Sequence, residues 1–354
     1  MPAPRPAPDA SPPLSSPSEA DNVRRWDGRT PGHYEVWFLT LNHRESQTGT
    51  WIRYALDAPL DRQARAELWF AHFDARRPDR TFGIHRAFPI ADMVAEADPF
   101  AVSIAGALLR HDRARGELAG AGHRTAWDLY WTPAPRTHHH LPALLYRGRG
   151  SLASSAVLSP NVDIAIRGWI EVDGSRFVLD GEPGGQTHLW GRKHADAWAW
   201  GRATAFHGHQ GAVLETLTAR VERGGRITPP LTLLVLQVDG EELRFNGLSN
   251  IPFNRGRSGT GFYRFSAATP TARVEGEFSC RPEDMLMAEY EDPDGAPTFC
   301  ANTEVADLRV SLFRRSRPLG RWREAAVLVA PRTAHFEVAS RERDPAIGKL
   351  HTRL

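Results

Sequence analysis

The stretch VDIAIRGWIEVD, residues 162–173, sets the strongest limit on the fold. Val162, Ile164, Ile166, Ile170 and Val172 fall on one face, and Asp163, Arg167, Glu171 and Asp173 on the other. A repeat of two marks a strand with one face buried. Residues 273–280 repeat it: Val274, Gly276, Phe278 and Cys280 oppose Arg273, Glu275, Glu277 and Ser279. Leu308, Val310 and Leu312 do the same. Asp239-Gly240 between two apolar runs reads as a tight hairpin turn, because both positions need positive φ. Further strands are expected over 33–41, 50–57, 66–73, 124–131, 198–207, 213–221, 321–330 and 335–339. The one short helical candidate is 90–97, after Pro89. Strand after strand with few helical signals means an all-β sandwich or barrel architecture, doubled over a chain of 354 residues.

The tail MPAPRPAPDASPPLSSPSEAD carries proline at seven of its first seventeen positions. Proline removes helix and strand options, so residues 1–22 are expected to be a disordered, proline-rich tail, with order from near Trp26. The tail lacks the apolar core of a signal peptide, and no run of eighteen apolar residues occurs. These features predict a soluble, cytoplasmic protein with no integral membrane association. A fresh strand series after HGHQG, residues 207–211, places a domain boundary there, giving expected domains 23–207 and 208–354. Forty-four basic against 42 acidic residues is too balanced for a nucleic-acid partner. Two cysteines, Cys280 and Cys300, exclude a disulfide framework and a zinc ribbon; they pair only if adjacent strands bring them together.

Motifs with chemistry are few. Neither a G-x-S-x-G elbow nor a phosphate loop is present. THHHL, His138–His140, lies among prolines and reads as a solvated histidine loop with no nearby acid to complete a metal set. His188, His194, His207 and His209 match no metal spacing. No metal site is expected. RGRSGTG, residues 255–261, reads as a flexible hairpin loop.

The stretch QTHLWGRKHADAWAWGRATAF, residues 186–206, is the most unusual. Pro183-Gly184-Gly185 before it reads as a turn. From Trp198 the period is two. Trp198, Trp200, Arg202, Thr204 and Phe206 share one face; Ala197, Ala199, Gly201, Ala203 and Ala205 share the other. The bare face either admits a close neighbour or leaves a hollow. The bulky face suits an apolar pocket with one polar anchor, or plain core.

These residues carry a resemblance. Gly168-Trp169-Ile170-Glu171-Val172-Asp173-Gly174, Pro183-Gly184, Trp190-Gly191-Arg192-Lys193, Trp198-Ala199-Trp200 and Phe206 follow the order seen in the superfamily of tocopherol cyclases, carotenoid 1,2-hydratases (hydroxyneurosporene synthases) and AttH-like proteins. HYEVWFL, residues 33–39, is similar to that superfamily's E-W-W-Y strand, with Glu35 and Trp37 kept and Val36 replacing the middle Trp. The resemblance spans roughly residues 33 to 206. It implies two packed lipocalin-like antiparallel β-barrels and an apolar cavity for an isoprenoid or polyketide-like molecule. It further implies cofactor-free hydration, cyclisation or isomerisation of alkenes. The inward His and Asn common in the family are replaced here by Arg202 and Thr204.

Protonating an alkene needs a carboxylic acid kept neutral by an apolar setting. Arginine cannot do it. Glu35 is the best-matched acid; the alternative is that it pairs with Arg53 or another base. Trp37, Tyr54, Trp190, Trp198, Trp200 and Arg202 are the expected ligand-binding residues. The expected partner is a hydrophobic small molecule. Two other readings stay open: a lipid or pigment carrier without chemistry, and a carbohydrate-binding β-sandwich, which requires rows of exposed tryptophan.

Overall fold

A computed structural model describes residues 17–141, 155–349 and 351–352. Residues 1–16 of the expected proline-rich tail, 1–22, lie outside them. Two large, mainly antiparallel sheets and one two-stranded ribbon make up the described residues. In the first, His33–His43, Thr48–Ala58, Arg65–Asp74 and Phe82–Pro89 form a meander. His33–His43 also pairs with Ser175–Gly191, whose hairpin partner is Ser155–Val172. From there the order runs through His123–Tyr130, Arg113–Gly120, Ala107–Arg110, Phe100–Ile104 and Met93–Ala97. Phe82–Pro89, which His351–Thr352 flanks in parallel at the sheet's end, is joined to the opposite edge strand Met93–Ala97 by one short turn, so the sheet curls into a nearly closed barrel. The helical candidate at 90–97 is therefore a 3-10 turn, Ile90–Asp92, running straight into a strand.

The second sheet is built on two 18-residue strands, Pro297–Arg314 and Arg323–Ser340. The separately expected strands 321–330 and 335–339 are one strand, carried through an irregularity where Arg332 has a φ of 55°. Asp239 and Gly240 both have positive φ in a two-residue turn, as the dipeptide predicts. RGRSGTG is mostly strand: Arg255–Gly259 pairs with Phe262–Ala268.

Three expectations change. Ala197–Ala203 pairs with Val213–Arg220 and Arg323–Ser340, so the passage between sheets falls between Gly191 and Ala197, ahead of 207/208. Pro183-Gly184-Gly185 is mid-strand in Ser175–Gly191. Its glycines serve approach, not turning: a Cβ on Gly185 would lie 2.3 Å from Arg202 Nη1 and 2.7 Å from the Val162 carbonyl oxygen. Within residues 18–22, Ser18 and Asn22 are fully buried, while Ala20 is exposed. Buried polar partners hold them: Ser18 Oγ donates to the Ala134 carbonyl at 3.0 Å, and the Trp37 indole donates to the Asn22 carbonyl at 2.8 Å.

Each barrel has its own core. A third apolar cluster lies between the sheets and includes Tyr34, Val36, Phe38, Trp51, Trp69, Trp200, Leu286 and Cys300. This layer explains a departure from clean alternation. Throughout Thr48–Ala58 every residue is buried, because one face meets the barrel core and the other meets the second sheet. The bare face of Ala197–Ala203 admits a neighbour: Ala199 and Ala203 join the second core, and Phe278 sits where a Cβ on Gly201 would come within 2.4 Å. Cys280 and Cys300 are free thiols. Among the described residues, no helix is long and apolar enough to cross a membrane.

Candidate active site between the two sheets

Glu35 and Trp37 point into the first barrel, on the same strand face as Leu39 and Leu41. Glu35 is fully buried and heavily bonded. It accepts from the Arg25 amide at 2.6 Å, the Trp26 amide at 2.9 Å and His188 Nε2 at 2.9 Å, with His33 Nε2 at 3.3 Å. Burial alone raises its pKa, but the hydrogen bonds from His188 and His33, the His188 charge and the Arg25 amide outweigh it and hold the carboxyl at about 2. A carboxylate so held cannot donate a proton. Its partners are His188, His33 and two amides, not Arg53. Glu35 thus fastens the backbone of Arg25 and Trp26 to the first sheet. Glu35→Gln is expected to cost about 3 kcal/mol near neutrality, from the drop of 4.5 to about 2. A depressed carboxyl stabilises above its unfolded pKa, so the deficit should shrink as pH falls from about 4.5 towards 2. Urea unfolding of both proteins across that range checks it.

The remaining expected ligand residues are dispersed. Trp37 stacks on His188 with centroids 4.9 Å apart. The Tyr54 hydroxyl donates to the Leu108 carbonyl at 3.2 Å and receives the Trp127 indole at 3.3 Å. Both belong to the packed first core. Trp190, half-buried, lies under the Arg25 guanidinium, 5.0 Å from the ring. Trp198 donates to Glu337 Oε1 at 2.7 Å. Trp200 and Arg202 lie in the layer between the sheets and serve Glu215. The Arg202 Nε donates to Glu215 Oε1 at 2.6 Å, while the Trp200 indole reaches Oε2 at 2.9 Å. Arg202 is thus the centre of a sealed ion pair.

The same network corrects the reading of THHHL. His138 and His140 are buried, not solvated. Glu215 supplies the acid that the sequence concealed, and its ligand atoms and those of the two histidines lie within 4.8 Å of one another. His140 Nε2 is 3.0 Å from Glu215 Oε2. Both carboxylate oxygens are already committed to Arg202, Trp200 and His140, so the donor set favours an Arg–Glu–His network over a metal. Burial opposes ionisation of Glu215, but the charges of Arg202 and His140 hold its pKa well below the usual range.

A different group of residues lines a cavity of about 460 Å³ where the two sheets face each other. Tyr34, Arg53, Asp57, Arg65, Glu67, Trp69 and His85 come from the first meander; His194, Tyr290 and Phe299 come from the second-sheet side. None of the residues expected from the sequence lines it. Strand alternation places Trp51, Arg53, Ala55 and Asp57 on the cavity-side face. Glu67 binds Arg65 Nε at 2.8 Å and the Trp69 indole at 3.1 Å, and is 3.4 Å from His85 Nε2. Burial works against its charge, yet His85, Arg65 and Arg53 together bring its pKa to about 2.

Asp57 behaves in the opposite way. Burial, joined by repulsion from Glu67 and Glu291, pushes its carboxyl up to about 7 against the pull of Arg65 and Arg62. Arg65 Nη2 is 3.1 Å from Oδ2, but it is not aligned to donate, and both carboxyl oxygens are buried without a hydrogen-bond partner. Glu304 and Glu337 are also raised by burial, but neither lines the cavity. The cavity thus holds an ionised carboxylate, Glu67, beside a carboxylic acid near its midpoint at neutrality, Asp57. Divergent carboxyl pairs of this kind are the physical mark of acid–base work.

Residues 145–339, more than half of the chain, match the tocopherol cyclase-like family. The chain belongs to that family. An uncharacterized protein of Mycobacterium tuberculosis, Rv0493c, is 28% identical to this tocopherol cyclase-like chain over 303 residues, covering 82% of this chain and 84% of its own. The fold is similar to that of an AttH-like protein from Nitrosomonas europaea, with 13% identity, a TM-score of 0.53 and coverage of 94% and 98%. It is equally similar to kievitone hydratase from Nectria haematococca, with 8% identity, a TM-score of 0.53 and coverage of 92% of each chain. The expected architecture of two packed lipocalin-like β-barrels is the observed one. The carbohydrate-binding reading is not: seven of the eleven tryptophans are buried, four are half-buried and none is exposed.

Proposed function

We propose that this tocopherol cyclase-like protein hydrates or cyclises an unsaturated small molecule in the inter-sheet cavity, with Asp57 as proton donor. The observation that carries the reading is the Asp57 carboxyl, raised to about 7 in a cavity also lined by Trp69, Tyr34, Tyr290 and Phe299. The protonated carboxyl gives its proton to one alkene carbon; the π electrons form the C–H bond. The adjacent carbon becomes cationic and is stabilised by the Glu67 carboxylate. Water, or an oxygen of the same molecule, adds to that carbon. The proton it sheds returns to Asp57, closing the cycle without a net acid or base. Kinship with hydratase folds makes alkene chemistry the natural class, and the aromatic lining suits a largely apolar body.

The test is the fate of a co-purifying molecule. The protein is taken from its own host, its bound small molecule is released, and the mass and retention before and after incubation are compared. A hydratase yields a compound one water heavier; a cyclase yields an isomer with altered retention. A molecule returned unchanged is the carrier's result and defeats the catalytic reading.

A further inference from the structure

We infer that Arg53 is an anion anchor, and that the molecule received by the cavity carries a carboxylate or another anionic oxygen. This deepens the reading above and rests on its assignment of the cavity as a substrate site. Arg53 is 6% exposed, and its Nε and Nη1 are buried without a hydrogen-bond partner. A guanidinium presents five donors in a fixed fork, and leaving them unmade under burial is costly. The acids around it are spoken for. Glu67 is bonded to Arg65 at 2.8 Å, Glu291 lies 2.6 Å from Arg62, and Asp57 lies 3.1 Å from Arg65. Among the described residues Arg53 has no carboxylate within ion-pair distance, and its charge acts on Glu67 only from further off. What it does have is aromatic packing: Tyr290 at 4.1 Å and Trp69 at 5.3 Å fix the plane of the fork. A pre-oriented, unpaired guanidinium in a cavity wall is suited to bidentate capture of a planar anion.

Register adds a dimension. Arg53 and Asp57 lie four residues apart on one strand face, so their Cα atoms are about 13 Å apart. A molecule held at its anionic end by Arg53 presents a double bond further along its length to Asp57. The anchor thus selects an elongated, amphipathic molecule over a wholly apolar hydrocarbon.

The experiment compares trans-cinnamate with trans-cinnamyl alcohol, which share a carbon frame and differ in charge. Binding to the full chain is read from tryptophan fluorescence at constant salt. The wild type should bind cinnamate about tenfold more tightly than the alcohol, the worth of a charge-assisted hydrogen bond. Arg53→Met should abolish the preference with the circular dichroism spectrum kept, and Arg53→Lys, which keeps the charge but not the fork, should retain part of it. Equal affinities in the wild type, a preference surviving Arg53→Met, or no binding of either probe overturns the anchor. Asp57→Asn should keep the preference. If the proton-donor assignment is wrong, turnover survives Asp57→Asn while the anion preference stands, so the two failures are separable.

Discussion

Asp57→Asn is expected to lower turnover by about 10²–10⁴-fold, the usual contribution of a positioned acid, and to make the fold more stable at alkaline pH. The two effects have one cause. The folded state holds the Asp57 carboxyl at about 7, against an unfolded value near 3.8. Between those values the folded state binds more protons than the unfolded one, so stability falls as pH rises through the window. Above about 7 the full cost is present, on the order of 4 kcal/mol. Asparagine is neutral at every pH and carries no such cost. The variant should therefore match the wild type near pH 4 and exceed its melting temperature by several degrees at pH 8. Loss of activity with a gain of stability separates a poised functional acid from a structural one. If Asp57→Asn instead destabilises the fold at pH 8, Arg65 is pairing with a true carboxylate and the assignment falls.

Arg202→Met is expected to cost about 3–5 kcal/mol of folding stability. Arg202 is fully buried; beyond Glu215 it donates to Ser159 Oγ at 2.8 Å and Thr187 Oγ1 at 2.5 Å. Those two residues belong to the first sheet and Arg202 and Glu215 to the second, so the network ties the sheets together. Removing the guanidinium leaves the Glu215 charge buried with His140, Trp200 and a long hydrogen bond from Ser159 Oγ at 3.5 Å. In the wild type the depressed Glu215 carboxyl contributes stability above its unfolded pKa and loses it as pH falls. The variant lacks that contribution, so its deficit should be greatest at neutral pH and smaller in acid. Replacing both partners, Arg202→Met with Glu215→Leu, should recover most of the loss because no charge is then stranded. Urea midpoints of the single and double variants measure this. A single variant within about 1 kcal/mol of wild type contradicts it.

Period two in 162–173 and 273–280 made the all-β architecture legible, since strand alternation is local. The site was not, and particular residues show why. Glu35 looked catalytic because it sits among aromatics; its neutralisers, His188 and the amides of Arg25 and Trp26, come from other segments. Arg202 looked like a pocket residue because Glu215 faces it from the adjacent strand, and only pairing reveals that. In WIRYALDA, Ile52, Tyr54 and Leu56 share one face, and Trp51, Arg53, Ala55 and Asp57 share the other. A base and an acid on that second face carry no local sign that it is covered. It is buried only because the second sheet covers it, and burial is what raises the carboxyl and leaves the guanidinium unpaired. A faint signal was available: an acid and a base four apart on a strand with few other polar residues.

The most direct test is the titration of Asp57 itself, by infrared difference spectroscopy of the wild type against Asp57→Asn. The account predicts a protonated-carboxyl band, absent from the variant, that is strong at pH 5 and half lost near pH 7. A wild-type spectrum without that band at pH 5 would show Asp57 to be an ordinary carboxylate and would contradict the account.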